Sequence, residues 1–208
     1  MAKSSSVAES QANSQAERPR LTPADWELAA LELIAEKGVN SLAVEPLARR
    51  LGITKGSFYW HFPGRDQLLT EALERWERLD EQRLVQSLHS DACPEARLAE
   101  FVRRTSRQTL THRIYLALCS CPDDPRVQPV LKRVTTRRLR FLTDAFASLG
   151  LDEVAAAARA RLVYASYVGY LQLQIQGLAP DRGAEGFESY IEHVIDTLVR
   201  SRQQPVNS

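Results

Sequence analysis

The stretch Leu47–Phe62, LARRLGITKGSFYWHF, decides how the chain is read. Its first half is a short amphipathic helix in which Leu47, Ala48 and Leu51 share a face, and Gly52-Ile53-Thr54 breaks it. Its second half sets four rings, Phe58, Tyr59, Trp60 and Phe62, and the His61 imidazole behind the polar opening Thr54-Lys55-Gly56-Ser57. A core element would space its apolar residues and a surface element would dilute its rings, so this crowding fits neither pattern. With Thr54 as N-cap, the segment begins a helix whose Phe58 and Phe62, at i and i+4, share one inward face. Ser57, Tyr59, Trp60 and His61 then point elsewhere, and Gly56 leaves room for another backbone to come close. Two short helices across a tight Gly-containing turn form a helix-turn-helix, the first bracing the second for the major groove of DNA.

Working outward, Thr22-Pro23-Ala24-Asp25 reads as a helix start, with Thr22 as N-cap and Asp25 facing the helix dipole. Trp26, Ala29, Ala30, Leu33 and Ile34 repeat at helical spacing until Gly38. The second helix covers Val44 to Leu51. Downstream, Pro63-Gly64-Arg65-Asp66 opens a helix from Asp66 to about His89, with Leu68, Leu69, Ala72, Leu73 and Trp76 along one stripe. Further helices are predicted from Pro94 to about Leu110, His112 to Ser120, Val127 to Leu149, Asp152 to Gly177 and Gly186 to Arg200. No alternating strand pattern or internal repeat appears. The expected fold is all-α with about nine helices: a disordered arm (1–19), a helix-turn-helix head (20–66), a larger helical domain (67–202) and a tail (203–208).

The 208 residues carry 27 basic against 26 acidic side chains, so net charge decides nothing about nucleic acid and local clustering must. Three cysteines suit a reducing compartment rather than a disulfide framework. The first residues lack an apolar leader core and no run is long enough to span a bilayer, which predicts a cytoplasmic protein with no membrane partner. No GxSxG, HExxH, P-loop or GxGxxG signature is present, so no enzyme, cofactor or metal is expected.

The pattern Leu-Gly-Ile-Thr-Lys-Gly-Ser-Phe-Tyr-Trp-His-Phe, preceded by a helix closing at Gly38 and followed by Arg65, resembles the DNA-binding domain of the TetR/AcrR family of bacterial regulators. The resemblance implies a helical homodimer whose heads read the two half-sites of a double-stranded operator, with a C-terminal domain sensing a small molecule. Carried over, Lys55, Gly56, Ser57 and Tyr59 would face the major groove, Thr54, Tyr59, His61 and Arg65 would hold phosphates, and Lys55, Ser57 and Trp60 would select bases. Arg18 and Arg20 would reach a minor groove or else be a solvated linker. One departure is Ala43, where many members place a Ser or Thr cap that touches phosphate; Ser41 is the substitute candidate. Glu45 would repel phosphate and is expected to point away from DNA.

In the helix from Asp152, Ala158, Leu162, Ala165, Gly169, Gln172 and Gln176 form one narrow stripe, and Phe187, Tyr190, Ile191, Val194 and Leu198 form another on the last helix. The two stripes together read as a four-helix dimer interface, with domain core as the alternative. Tyr164, Tyr167 and Gln174 on the other side, with His112, Tyr115 and Phe141, are the candidates for a ligand cavity, although an aromatic stripe is more often plain core. Arg103, Arg104, Arg107, Arg133, Arg137, Arg138 and Arg140 fit either an anionic effector or solvated helix faces. Cys119 and Cys121, two apart on a helix, face different directions and make a poor chelate. Competing functions are a helical enzyme and a dimeric small-molecule-binding protein acting through protein partners without DNA.

Overall fold

The computed structural model describes residues 21–88, 92–181 and 185–200. The arm with Arg18 and Arg20, the tail from 203 and the expected helix end at His89 lie outside them. Among the described residues there are nine α-helices and no strand, as the sequence predicts.

The first helix, α1 (Pro23–Lys37), starts where Thr22 donates its backbone N–H and its hydroxyl to Asp25 Oδ2, both at 2.7 Å. Those bonds hold the Asp25 carboxyl below its usual range. The helix stops at Gly38, whose φ of +81° suits glycine and whose N–H reaches the Ile34 carbonyl at 2.8 Å. A single 3₁₀ turn, Val39–Ser41, leads to α2 (Val44–Arg50), and Gly52, also at positive φ, turns the chain into α3 (Lys55–Phe58). These helices close on Trp26, Leu47, Phe58 and Phe62, none of which is more than 1% exposed. The Trp26 and Phe58 rings meet edge to face at 5.3 Å and the Phe58 and Phe62 rings stack at 5.5 Å.

The next helix, α4 (Arg65–Leu88), has 24 residues and is therefore about 36 Å long. Leu68, Leu69, Ala72 and Leu73 near its start are buried in the head, while Asp80 and Leu84 near its end face the second layer. The expected division between residues 66 and 67 thus falls inside one continuous rod. Helices α5 (Pro94–Ser106), α6 (Thr109–Cys119), α7 (Val127–Ala147), α8 (Glu153–Ile175) and α9 (Glu185–Ile195, then a π-helical turn Asp196–Arg200) complete the fold. The expected helix to Leu110 stops at Ser106 instead. No Gly or Pro marks that end; the Arg107 and Gln108 amides close 3₁₀-type turns onto Arg104 and Thr105 and let α6 start anew. Asp152 caps α8 as expected, accepting from the Ala155 amide at 2.8 Å.

Helix α6 lies against α1, and α7 lies against both α4 and α8. Arginines set the register. Glu77 of α4 accepts from Arg133 and Arg137 of α7, and Arg103 of α5 and Arg107 just past its end pair with Glu192 and Glu188 of α9. Hydrogen bonds from Arg133 hold the Glu77 carboxyl below its usual range against the opposing effect of burial. Most of the middle-chain arginine cluster is accounted for by these ties.

Candidate nucleic-acid interface and ligand cavity

The short helix α3 turns one side inward and leaves the other bare. Tyr59 is 55% and Trp60 89% exposed, Thr54, Lys55 and Gly56 are exposed, and Ser57 and His61 are half-buried beside them. A Cβ added at Gly56 would meet only Thr54 Oγ1, at 3.8 Å, so the chain's own packing does not require glycine there. Arg65, expected at a phosphate, is already bonded within the head. Its Nε donates to the Leu42 carbonyl at 2.6 Å and its Nη2 to the Val39 carbonyl at 3.3 Å, while Nη1 pairs with Asp66. It satisfies carbonyls of the α1–α2 connection rather than waiting for a phosphate. Ser41 is committed in the same way, its hydroxyl donating to the Gly38 carbonyl at 2.7 Å. Glu45 is exposed and pairs along α2 with Arg49.

On α8, all six stripe residues, Ala158, Leu162, Ala165, Gly169, Gln172 and Gln176, are exposed, and Leu162 at 58% and Ile175 at 63% leave apolar surface in water. A Cβ on Gly169 would meet nothing within 4 Å, although a mid-helix glycine costs about 1 kcal/mol against alanine. The α9 stripe goes the other way. Phe187 and Ile191 are buried within the single chain, and Phe187 and Tyr190 lay their rings on Tyr170 of α8 at 5.8 and 5.4 Å. Val194 and Leu198 are half-buried on the same side. These residues form the chain's own core because α9 must cover α5 and α8, and periodicity is identical for a core face and a seam.

A cavity of about 70 Å³ lies between α4, α5, α7, α8 and α9, walled by Phe101, Val102, Leu142, Tyr164, Tyr167 and Tyr170 among others. Of the six ligand candidates, Tyr164 and Tyr167 line it. Phe141 stands behind the wall against Phe101 at 4.8 Å, and Gln174 donates to the Tyr170 hydroxyl at 2.7 Å. His112 and Tyr115 are buried one layer back, His112 edge-on to Tyr167 at 5.2 Å and Tyr115 accepting from the Tyr164 hydroxyl at 2.9 Å. Burial pushes the Tyr167 hydroxyl up to about 12, so this phenol stays neutral at pH 7. Of the charged part of the lining, Asp80 and Arg83 are absent from the sequence-based candidates, and Arg138 figures there only within the middle-chain arginine cluster. Among the described residues no group of three potential metal ligands occurs, and Cys93, Cys119 and Cys121 are free thiols.

Residues 28–72, which hold most of the head and the start of α4, match the family of bacterial regulatory proteins known as the tetR family. The head is thus a tetR-type DNA-binding domain. It is similar to the helix-turn-helix regulator YuxN of Bacillus subtilis, 25% identical over 124 residues, 58% of this chain and 43% of YuxN. The match therefore spans under half the length of that curated relative. In fold it is similar to a TetR-family transcriptional regulator from Agrobacterium tumefaciens (TM-score 0.70, 18% identity, covering 85% of this chain and 97% of that one). It is also similar to a protein of Saccharomonospora viridis solved in complex with choline (TM-score 0.69, 21% identity, 84% and 93%). The family consists of transcriptional regulators rather than enzymes. No helix among the described residues is long and apolar enough to cross a membrane.

The TetR-type head separates two kinds of basic residue by experiment. Lys55→Ala is expected to lower the slope of log affinity for DNA against log salt by about 1, with an unchanged melt. Arg65→Ala is expected to cost about 1 to 3 kcal/mol of stability, because it strands two carbonyls, and to leave that slope alone. A salt titration of binding beside a thermal melt reads both, and the reverse pattern would return Arg65 to the phosphates.

Proposed function

We propose that the chain is a ligand-responsive, homodimeric DNA-binding regulator, a repressor released from a palindromic operator by a small molecule. One observation carries the reading: α3 is anchored from behind by Phe58, packed on Trp26, and by Phe62 stacked on Phe58, while Lys55, Tyr59 and Trp60 stand in solvent on its other side. Exposed rings are costly in water and are spent where a partner covers them. Hydroxyls at Thr54 and Tyr59, the His61 imidazole and the Lys55 ammonium are phosphate and base-edge donors, and Gly56 leaves room for a sugar-phosphate backbone.

The exposed α8 stripe supports the dimer, since small residues permit close helix approach and Gly169 has no purpose within the chain. The ligand response has a physical route. Helix α4 runs from the cavity into the head, and α6, which also borders the cavity through Thr111, leans on α1. An effector that favours one packing of α4 would change the separation of the two recognition helices, which DNA fixes at about 34 to 36 Å per turn. The fold neighbour solved with choline supports a small organic molecule as the kind of signal.

Gly169→Arg tests the assembly. The parent is expected to sediment as a dimer and the variant as a folded monomer that shifts operator DNA at least tenfold more weakly, because one head holds one half-site. A parent that sediments as a monomer while binding DNA tightly would remove the dimer from the reading.

A further inference from the structure

The charges on the cavity wall do not cancel. Asp80 and Arg138 are both more than nine-tenths buried, and they meet unevenly: Arg138 Nε and Nη2 both reach Asp80 Oδ1, at 3.1 and 2.6 Å. Asp80 Oδ2 and Arg138 Nη1 are left without a hydrogen bond inside the buried space. Burial opposes the charge on Arg138, yet the Asp80 carboxylate outweighs it and holds the guanidinium firmly charged. Three residues further along α4, on the same face, Arg83 lines the cavity as well. It donates through Nη1 to Thr111 Oγ1 at 2.6 Å and has no carboxylate partner among the described residues. The lining therefore carries two positive charges and one negative, against walls of tyrosine, phenylalanine and aliphatic side chains that solvate charge poorly.

We propose that the cavity takes a small monocarboxylate with an apolar or aromatic body, its oxygens received by Arg83 and by the open Nη1 of Arg138. This rests on the ligand-responsive reading above and names the ligand's chemistry. A carboxylate brings the wall to neutrality and matches the planar donor geometry of guanidinium groups. The tyrosine faces would also welcome a cation, but a cation raises the uncompensated charge to two in a medium of low dielectric. The volume of about 70 Å³ holds a short chain outright and takes a single ring only as the wall gives, since a cavity that binds benzene measures about 150 Å³. Arg83 also ties α4 to α6 through Thr111, so a carboxylate competing for it acts on the contact between sensor and head.

Calorimetric titration of the full chain with benzoate, benzamide and protonated benzylamine, three guests of one shape and different charge, tests this. Benzoate is expected to bind at least tenfold more tightly than the other two. Arg83→Gln, which breaks no ion pair, is expected to lose at least tenfold of the benzoate affinity while remaining folded, its melt lowered only by the lost hydrogen bond to Thr111, and Arg83→Lys to recover part of the affinity. Tighter binding of benzylamine or benzamide, benzoate binding untouched in Arg83→Gln, or binding by none of the three overturns the proposal. The two readings fail separately. Benzoate that binds without altering affinity for operator DNA removes the ligand response and spares the cavity chemistry, and DNA binding with no benzoate binding does the converse.

Discussion

Phe58→Ala is expected to cost about 3 to 5 kcal/mol, the usual loss for a fully buried ring, and to abolish DNA binding along with the head's fold. Phe58 is wholly buried and touches the rings of Trp26, Tyr59 and Phe62, so its removal opens a cavity at the centre of the head's aromatic cluster. Domain stabilities lie at about 5 to 15 kcal/mol, so a small head cannot absorb such a loss. Hydrogen exchange should show amides of α1 to α3 opening while α7 and α8 remain protected. Tyr59→Ala at the neighbouring exposed position is expected to weaken DNA binding broadly and leave the melt unchanged. If Phe58→Ala melted like the parent and still bound DNA, the inward anchor would not be what holds α3.

Asp80→Ala is expected to destabilise the larger domain by about 3 to 5 kcal/mol, because it leaves the Arg138 guanidinium charged, buried and unpaired. Removing both charges together, as Asp80→Leu with Arg138→Met, is expected to recover most of the loss, since a buried ion pair is often no better than an apolar replacement of similar volume. Denaturant midpoints of the parent, the single and the double variant make the comparison. Equal loss in single and double variants would show that packing around Arg138, which lies 5.3 to 5.9 Å from the Trp76, Tyr115 and Tyr167 rings, matters more than its charge.

The head was the more legible half of the chain because its signals are local. Capping at Thr22, the stop at Gly38, the Gly52 turn and the i, i+4 pair Phe58 and Phe62 each act within a few residues, and each is seen in the fold. The nine helices were legible for the same reason, down to the Asp152 cap. What could not be read depends on contacts distant in sequence. Arg65 sits where a phosphate-binding residue was expected, but its partners are the carbonyls of Val39 and Leu42, 26 and 23 positions away. The apolar stripes on α8 and α9 look alike, yet one stays in solvent and the other is consumed by the chain's own core. Asp80 and Arg138, 58 positions apart, carry no mark in sequence that they meet. The arginine cluster did contain that signal, diluted among residues that tie helices together at the surface.

Selection from random-sequence duplexes, read by sequencing the bound fraction, tests the central claim most directly: that the solvent side of α3, presented twice, reads DNA. The account predicts a two-fold symmetric site with half-sites one helical turn or a whole number of turns apart, and a changed base preference within each half-site for Lys55→Ala. Equal recovery of all sequences, a single unpaired half-site, or an unaltered preference in Lys55→Ala would contradict it.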